Sequence, residues 1–129
     1  MGDAPETRLG RLYKEHIDLI LEKDIEAILD QYTEDAVLIS SFEKVPRIFR
    51  GREELREHFK GILGIKGLKV DIAFWGEVDD KLLMIVEAIE LQTDEGTAKM
   101  RFADSWVLRD GKIAVHFAGM VQYPDGNIA

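Results

Sequence analysis

Residues 97–121 read TAKMRFADSWVLRDGKIAVHFAGMV, and their pattern decides the fold. Side chains alternate with a period of two on both sides of Asp110-Gly111, a dipeptide suited to the tight turn of a β-hairpin. On the first arm one row holds Met100, Phe102, Asp104, Trp106 and Leu108, and the opposite row holds Lys99, Arg101, Ala103, Ser105 and Val107. Asp104 interrupts an apolar row, with Phe102 and Trp106 on either side. A carboxylate on a core face is costly unless it is paired, hydrogen-bonded or protonated. Asp104 is therefore either a structural anchor or an acid held in a pocket. On the second arm Ala114, His116, Ala118 and Met120 form one row, and Ile113, Val115, Phe117, Gly119 and Val121 form the other. A two-residue loop would pair Asp104 with Phe117. A three-residue loop over 109–111, with Gly111 left-handed, would pair it with His116. Gly suits the third position of that longer loop, which is the one expected. Asp104 and His116 then stand side by side on one face, and Val115 and Phe117 point outward.

Outward from the hairpin, residues 68–78 and 81–91 read as two more strands, with turns at Asp79-Asp80 and Asp94-Glu95-Gly96. Further upstream the period changes. Leu9, Leu12, Tyr13, His16, Ile17, Leu19 and Ile20 recur every three to four residues, which predicts an amphipathic helix over 9–22. Asp24 can cap a second helix carrying Ile25, Ile28, Leu29 and Tyr32, so the helical stretch extends to 33. Val37, Leu38 and Ile39 mark a short strand over 36–41, to which 45–49 can pair through a turn at 41–44. Gly51 opens a third helix with Leu55, Phe59 and Ile62, closed by Gly61, Gly64 and Gly67. Residues 1–7 read as a frayed end, and Asp125-Gly126 begins a tail. No βαβ rhythm is present. The order predicts an α+β domain, a curved sheet with the helices laid over one face. The outward row of the long strands needs cover, which predicts a homodimer through the outer sheet face.

The chain has 129 residues, expected to form one domain over 1–129 with a core of about 8–122. Lys and Arg number 17 against 25 Asp and Glu, for a net charge of −8. Such a surface argues against binding nucleic acid or anionic membrane. The absence of cysteine removes disulfides and thiol chemistry. No apolar run is long enough to span a bilayer and no signal segment opens the chain, so a cytoplasmic location is expected. No dinucleotide, Walker, zinc-helix or nucleophile-elbow motif occurs, so no cofactor and no metal are expected. Arg47, Arg50, Arg52 and Arg56 cluster locally, with neighbouring glutamates to neutralise them. His58 reads as a surface histidine of the third helix.

Three stretches carry a family resemblance: Tyr32-Thr33-Glu34-Asp35-Ala36-Val37, the segment from Phe49 through Gly51, Glu53 and Leu55 to Phe59, and the hairpin from Trp106 to Ile113. In this order and spacing the chain resembles the nuclear transport factor 2-like superfamily over residues 8–122. The resemblance implies the cone-like α+β fold, a curved antiparallel or mixed sheet with three helices packed on its concave face, which serves enzymes, binders and assembly domains alike. Within it the chain is similar to ketosteroid isomerases and SnoaL-like polyketide cyclases. Asp104 matches the isomerase's oxyanion-hole Asp, and His16 falls where that enzyme has its oxyanion-hole Tyr. Ser40 stands at the general-base Asp, a departure, because a serine does not abstract a carbon-bound proton unaided. The limonene epoxide hydrolase set fails in the same way, its second Asp falling near Ala118. Scytalone dehydratase-like chemistry fits the residue types.

The expected activity is therefore isomerisation, cyclisation or dehydration of a small apolar carbonyl or hydroxyl compound. His116 would act as general base or acid, Asp104 would orient it or donate to an oxyanion, and His16 would polarise from the helix side. Tyr32, Ser40, Phe102, Trp106, Ala118 and Met120 would line the pocket. The alternative is a noncatalytic domain of the same fold that binds a ligand or oligomerises.

Overall fold

A computed structural model describes residues 3–42 and 45–124. The elements run α1 (Arg8–Glu22), α2 (Ile25–Leu29), β1 (Tyr32–Ser41), β2 (Arg47–Arg50), α3 (Gly51–Ile62), β3 (Lys66–Val78), β4 (Leu82–Thr93), β5 (Gly96–Arg109) and β6 (Lys112–Gln122). They form the expected α+β architecture. The six strands make one open sheet in the order β2-β1-β6-β5-β4-β3. All neighbours are antiparallel except β1 and β6, which run parallel and make the sheet mixed. The turn expected at 41–44 and the tail at 125–126 fall wholly or partly outside the described residues.

The helix ends follow from local chemistry. Thr7 caps α1, its hydroxyl accepting from the Gly10 amide at 3.0 Å, and Lys23 stops the helix in the left-handed region at φ 61°. Asp24 caps α2 through the Ala27 amide at 3.2 Å. The helical stretch does not reach 33, because α2 is a single short turn. The Gln31 carbonyl takes the Ile113 amide at 2.9 Å, and Tyr32 pairs with Ile113, so Tyr32 opens β1 instead of closing a helix. The segment before α1 is also less loose than a frayed end. Ala4 packs against the core, and the Pro5 carbonyl lies so near Gly10 that a Cβ there would sit 1.8 Å from it.

The hairpin of β5 and β6 departs from expectation in an informative way. Its loop has two residues, Asp110 (φ 53°) and Gly111 (φ 78°), with Arg109 facing Lys112. Both central residues are left-handed, as the favoured two-residue turn requires. Leu108 pairs with Ile113, but Val107 pairs with Val115, so Ala114 is an extra residue, a β-bulge. Ile113 points inward before the bulge and His116 points inward after it. Asp104 is thus opposite Ala118 and diagonal to His116, not directly opposite it. The loop length was wrong and the shared face was right.

Trp106, Phe59, Leu9, Ile28, Leu38, Leu55, Leu83, Ile85 and Ile113 are fully buried between helices and sheet. Each such side chain contributes roughly 1.5–3 kcal/mol by leaving water. The other sheet face is different. Val78, Leu82, Val107 and Val115 form one exposed row across four strands, and Met84 and Phe117 belong to the next, with Phe74 beyond. Among the described residues no helix is long and apolar enough to cross a membrane.

Candidate functional site

A cavity of about 290 Å³ opens between α1, α3 and the concave face of the sheet. Its apolar wall includes Phe102, Trp106, Ala118 and Met120, as expected from their rows. Its polar groups are His16 from α1, His58 from α3, Glu87 from β4, Asp104 from β5 and His116 from β6. Two expected lining residues lie elsewhere. Tyr32 sits behind His116, stacked on it with ring centroids 6.1 Å apart, and Ser40 lines a separate shallow depression with Arg47 and Phe49. His58 is not a plain surface histidine; its ring packs between Phe49 and Phe59 at the cavity wall. The arginine cluster is tied up on the outside, Arg52 with Glu26 and Asp30, and Arg56 with Glu26 and Glu53.

Asp104 and His116 meet directly. His116 Nε2 lies 2.7 Å from Asp104 Oδ1, and its Nδ1 lies 2.8 Å from the Tyr32 hydroxyl. Burial raises the Tyr32 pKa well above the phenolic range, so Tyr32 keeps its proton and donates it to Nδ1. His116 is held neutral, its pKa pushed down to about 4 by burial, so its single proton is on Nε2 and points at Asp104. The opposite tautomer would leave the Tyr32 proton without an acceptor.

Glu87 completes the cluster and was not anticipated. It stands diagonal to Asp104 on the next strand, within hydrogen-bonding reach, and accepts from the Tyr13 hydroxyl at 2.6 Å. Its signal in the sequence is the same as that of Asp104: Leu83, Ile85, Ile89 and Leu91 form an apolar row that Glu87 interrupts. Burial raises both carboxyls, and the bond between them raises Glu87 while lowering Asp104. The pair therefore shares one proton, held by Glu87, and one negative charge, held by Asp104. A continuous chain results: Tyr32 to His116 to Asp104, and Tyr13 to Glu87 to Asp104, with Asp104 as the final acceptor of both arms.

These shifts set a pH dependence of stability. His16, His58 and His116 each fall to about 4 from 6.5 by burial, so the fold favours their neutral forms. Their contribution is complete above 6.5 and is lost as pH falls from there toward 4. Glu87 has the opposite sign. The fold favours its protonated form, so stability declines as pH rises above the ordinary carboxylate range, by about 1.4 kcal/mol per pH unit. Below neutrality three histidines outweigh one shared proton. The melting temperature should peak near neutral pH. Glu87→Gln should remove the alkaline decline and leave the acid limb intact in melts from pH 5 to 9. An alkaline decline unchanged in that variant would show that Glu87 is ionised in the fold.

Among the described residues no group of three His, Asp or Glu side chains converges as metal ligands would.

The profile of the SnoaL-like domain family matches residues 13–116. No curated protein matches the chain. Among solved structures, the fold is similar to SalBIII, an epoxide hydrolase/cyclase-like enzyme in pyran ring formation in the polyether salinomycin, at 20% identity and a TM-score of 0.71 over 85% of this chain and 88% of that one. It is similar to TerC co-crystallised with polyporic acid, at 18% identity and a TM-score of 0.72 over 88% and 92%. It is similar to RV0760c from Mycobacterium tuberculosis in complex with estradiol-17beta-hemisuccinate, at 14% identity and a TM-score of 0.73 over 88% and 93%. At these identities the likeness is one of fold.

Proposed function

From the premise that this chain belongs to the SnoaL-like domain family, we propose that it binds a small, mostly apolar carbonyl or hydroxyl compound in the cavity and carries out acid–base chemistry on it. Isomerisation, cyclisation and dehydration are the reactions such a site serves. One observation carries the reading: the buried carboxyl of Asp104 lines an apolar cavity 2.7 Å from His116, with the buried carboxyl of Glu87 beside it. Such a pair separates the roles. Asp104, which carries the charge, accepts a proton from the substrate. Glu87, which carries the proton, supplies one to a developing oxyanion or leaving oxygen. Both ring nitrogens of His116 are already bonded, so it orients Asp104 instead of acting as the base. The ligands and reaction named for RV0760c and SalBIII support the substrate class.

The same saturation of His116 favours a second reading, a binding domain without turnover. Calorimetry with a panel of small cyclic ketones and enols at pH 6 and 8, followed by product analysis of every binder, separates the two. Binding with conversion supports the enzyme. Binding without conversion leaves the binding domain, and no binding by any member overturns both.

The exposed apolar face of β3, β4, β5 and β6 supports a homodimer in which a second copy covers it.

A further inference from the structure

His16 lies across the cavity from Asp104, and its protons are arranged differently from those of His116. Its Nδ1 is 2.9 Å from Gln31 Oε1. The Gln31 amide is turned by its own donors: its nitrogen reaches Glu15 Oε1 at 3.0 Å and the Leu12 carbonyl at 3.4 Å. With the amide nitrogen spent on two acceptors, only the oxygen is left for His16, so Nδ1 must carry the proton. Burial and the neighbouring His116 lower the His16 pKa to about 4, so the ring is neutral near pH 7 and has no second proton. Nε2 is then a bare lone pair.

Among the described residues nothing bonds that lone pair. Trp106 Nε1 is the one side-chain polar atom there that is both sealed from solvent and unpartnered. His16 Nε2 is therefore not sealed, and since the ring lines the cavity, this edge is reached from inside it. His116, with its ring centroid 6.3 Å away, is locked in the opposite tautomer by Tyr32 and Asp104. The two facing histidines thus present opposite hydrogen-bonding characters, and of the two His16 is the one with a nitrogen to spare.

We propose that His16 Nε2 is a hydrogen-bond acceptor that selects ligands carrying a hydroxyl group, and that Gln31 is the positioning residue that keeps it one. The occupant is a phenol, enol or alcohol on an otherwise apolar frame. A ketone or ether of the same shape has no proton to give and leaves Nε2 unpaired, a loss of about tenfold or more in affinity. So weakly basic a ring does not take the proton from a hydroxyl. It holds the O–H by hydrogen bond and leaves proton transfer to the carboxyl pair. This inference rests on the proposed occupancy of the cavity by a small apolar molecule and adds the functional group that molecule must carry.

The probes are 2-naphthol, its methyl ether and naphthalene, titrated into the wild-type protein by calorimetry. Histidine tautomers are read separately by long-range nitrogen–proton NMR of the unliganded protein. The naphthol should bind at least about tenfold tighter than either analogue. His16 should show the Nδ1-protonated pattern while His116 shows the Nε2-protonated one. Gln31→Met, close in volume, should erase the single-tautomer pattern of His16 and the naphthol preference while leaving ether binding unchanged. Equal binding of naphthol and ether, or an Nε2-protonated His16, overturns the inference and leaves the cavity reading standing. Failure of all three probes to bind overturns the cavity reading, and this inference with it. If the Gln31 variant does not fold, the wild-type affinities and spectrum still decide.

Discussion

Asp104→Leu should lower folding stability by about 3 kcal/mol, while Asp104→Asn should cost about 1 kcal/mol. Leucine keeps the branched four-atom outline of aspartate, and its extra bulk between Phe102 and Trp106 borders the cavity, so packing is not the main cost. The cost comes from what it strands. The His116 Nε2 proton and the Glu87 proton both end on Asp104, and each loses its acceptor in a dry site. A stranded donor costs about 1–3 kcal/mol, and removing a buried carboxylate's own desolvation returns part of the sum. Asparagine keeps an oxygen for His116, and Glu87 can ionise to accept from the new amide. For a chain of this size the leucine variant should melt roughly 10 °C lower. Calorimetric melts and ligand titrations must be read together. A leucine variant as stable as wild type would mean that the hydrogen bonds to Asp104 add nothing to the fold and that it is kept for chemistry. A destabilised variant, in a protein that binds none of the ketones and enols, would leave Asp104 as an anchor and end the enzyme proposal.

In the homodimer proposed above, Met84→Lys with Phe117→Lys should weaken association by about a hundredfold or more, enough to leave monomer at micromolar concentration. Met84 is 61% exposed and Phe117 41% exposed, so neither change opens a hole in the core. Both residues lie in the same row of the convex face, where Met84 faces Ser105 and Ser105 faces Phe117. In the proposed dimer a two-fold axis through this row would set it against its own copy, so four lysines would be brought together out of water. Sedimentation equilibrium of both proteins across micromolar concentrations measures the effect. A wild-type chain that is monomeric throughout would refute the dimer and leave the exposed apolar face in need of another occupant.

The parts of the molecule legible in the sequence are those where one residue contradicts its row. Asp104 stood out because its neighbours two residues away are aromatic, and it is the centre of the polar network. Glu87 carries the same signal, in a strand whose aliphatic richness on both faces masks its alternation. The shared face of Asp104 and His116 was reached through the wrong loop, because a bulge has no residue signature: Ala114 is as good a strand residue as any. Gln31 and Tyr32 were hidden for a different reason. The Tyr32 contact with His116 spans 84 residues through the parallel pairing of β1 with β6, and the Gln31 contact with His16 spans 15 across the connection from α1 to β1. Local periodicity assigned Tyr32 to a helix, and tertiary pairing took it into a strand.

The extra residue at Ala114 works like a shift of reading frame. Upstream of it the odd-numbered Ile113 points inward to the core, and downstream the even-numbered His116, Ala118 and Met120 face the cavity. Nothing in the identity of His116 makes it face Asp104; its parity does, counted from the turn. The same residues paired without the bulge would set His116 opposite Ser105 on the outer face and Phe117 opposite Asp104 on the inner one. A relative one residue shorter between turn and histidine needs no bulge to keep its histidine opposite Trp106, so a gap at Ala114 marks the loss of the bulge and not of the polar chain. In this fold the length of a strand segment is as much a part of the site as its side chains.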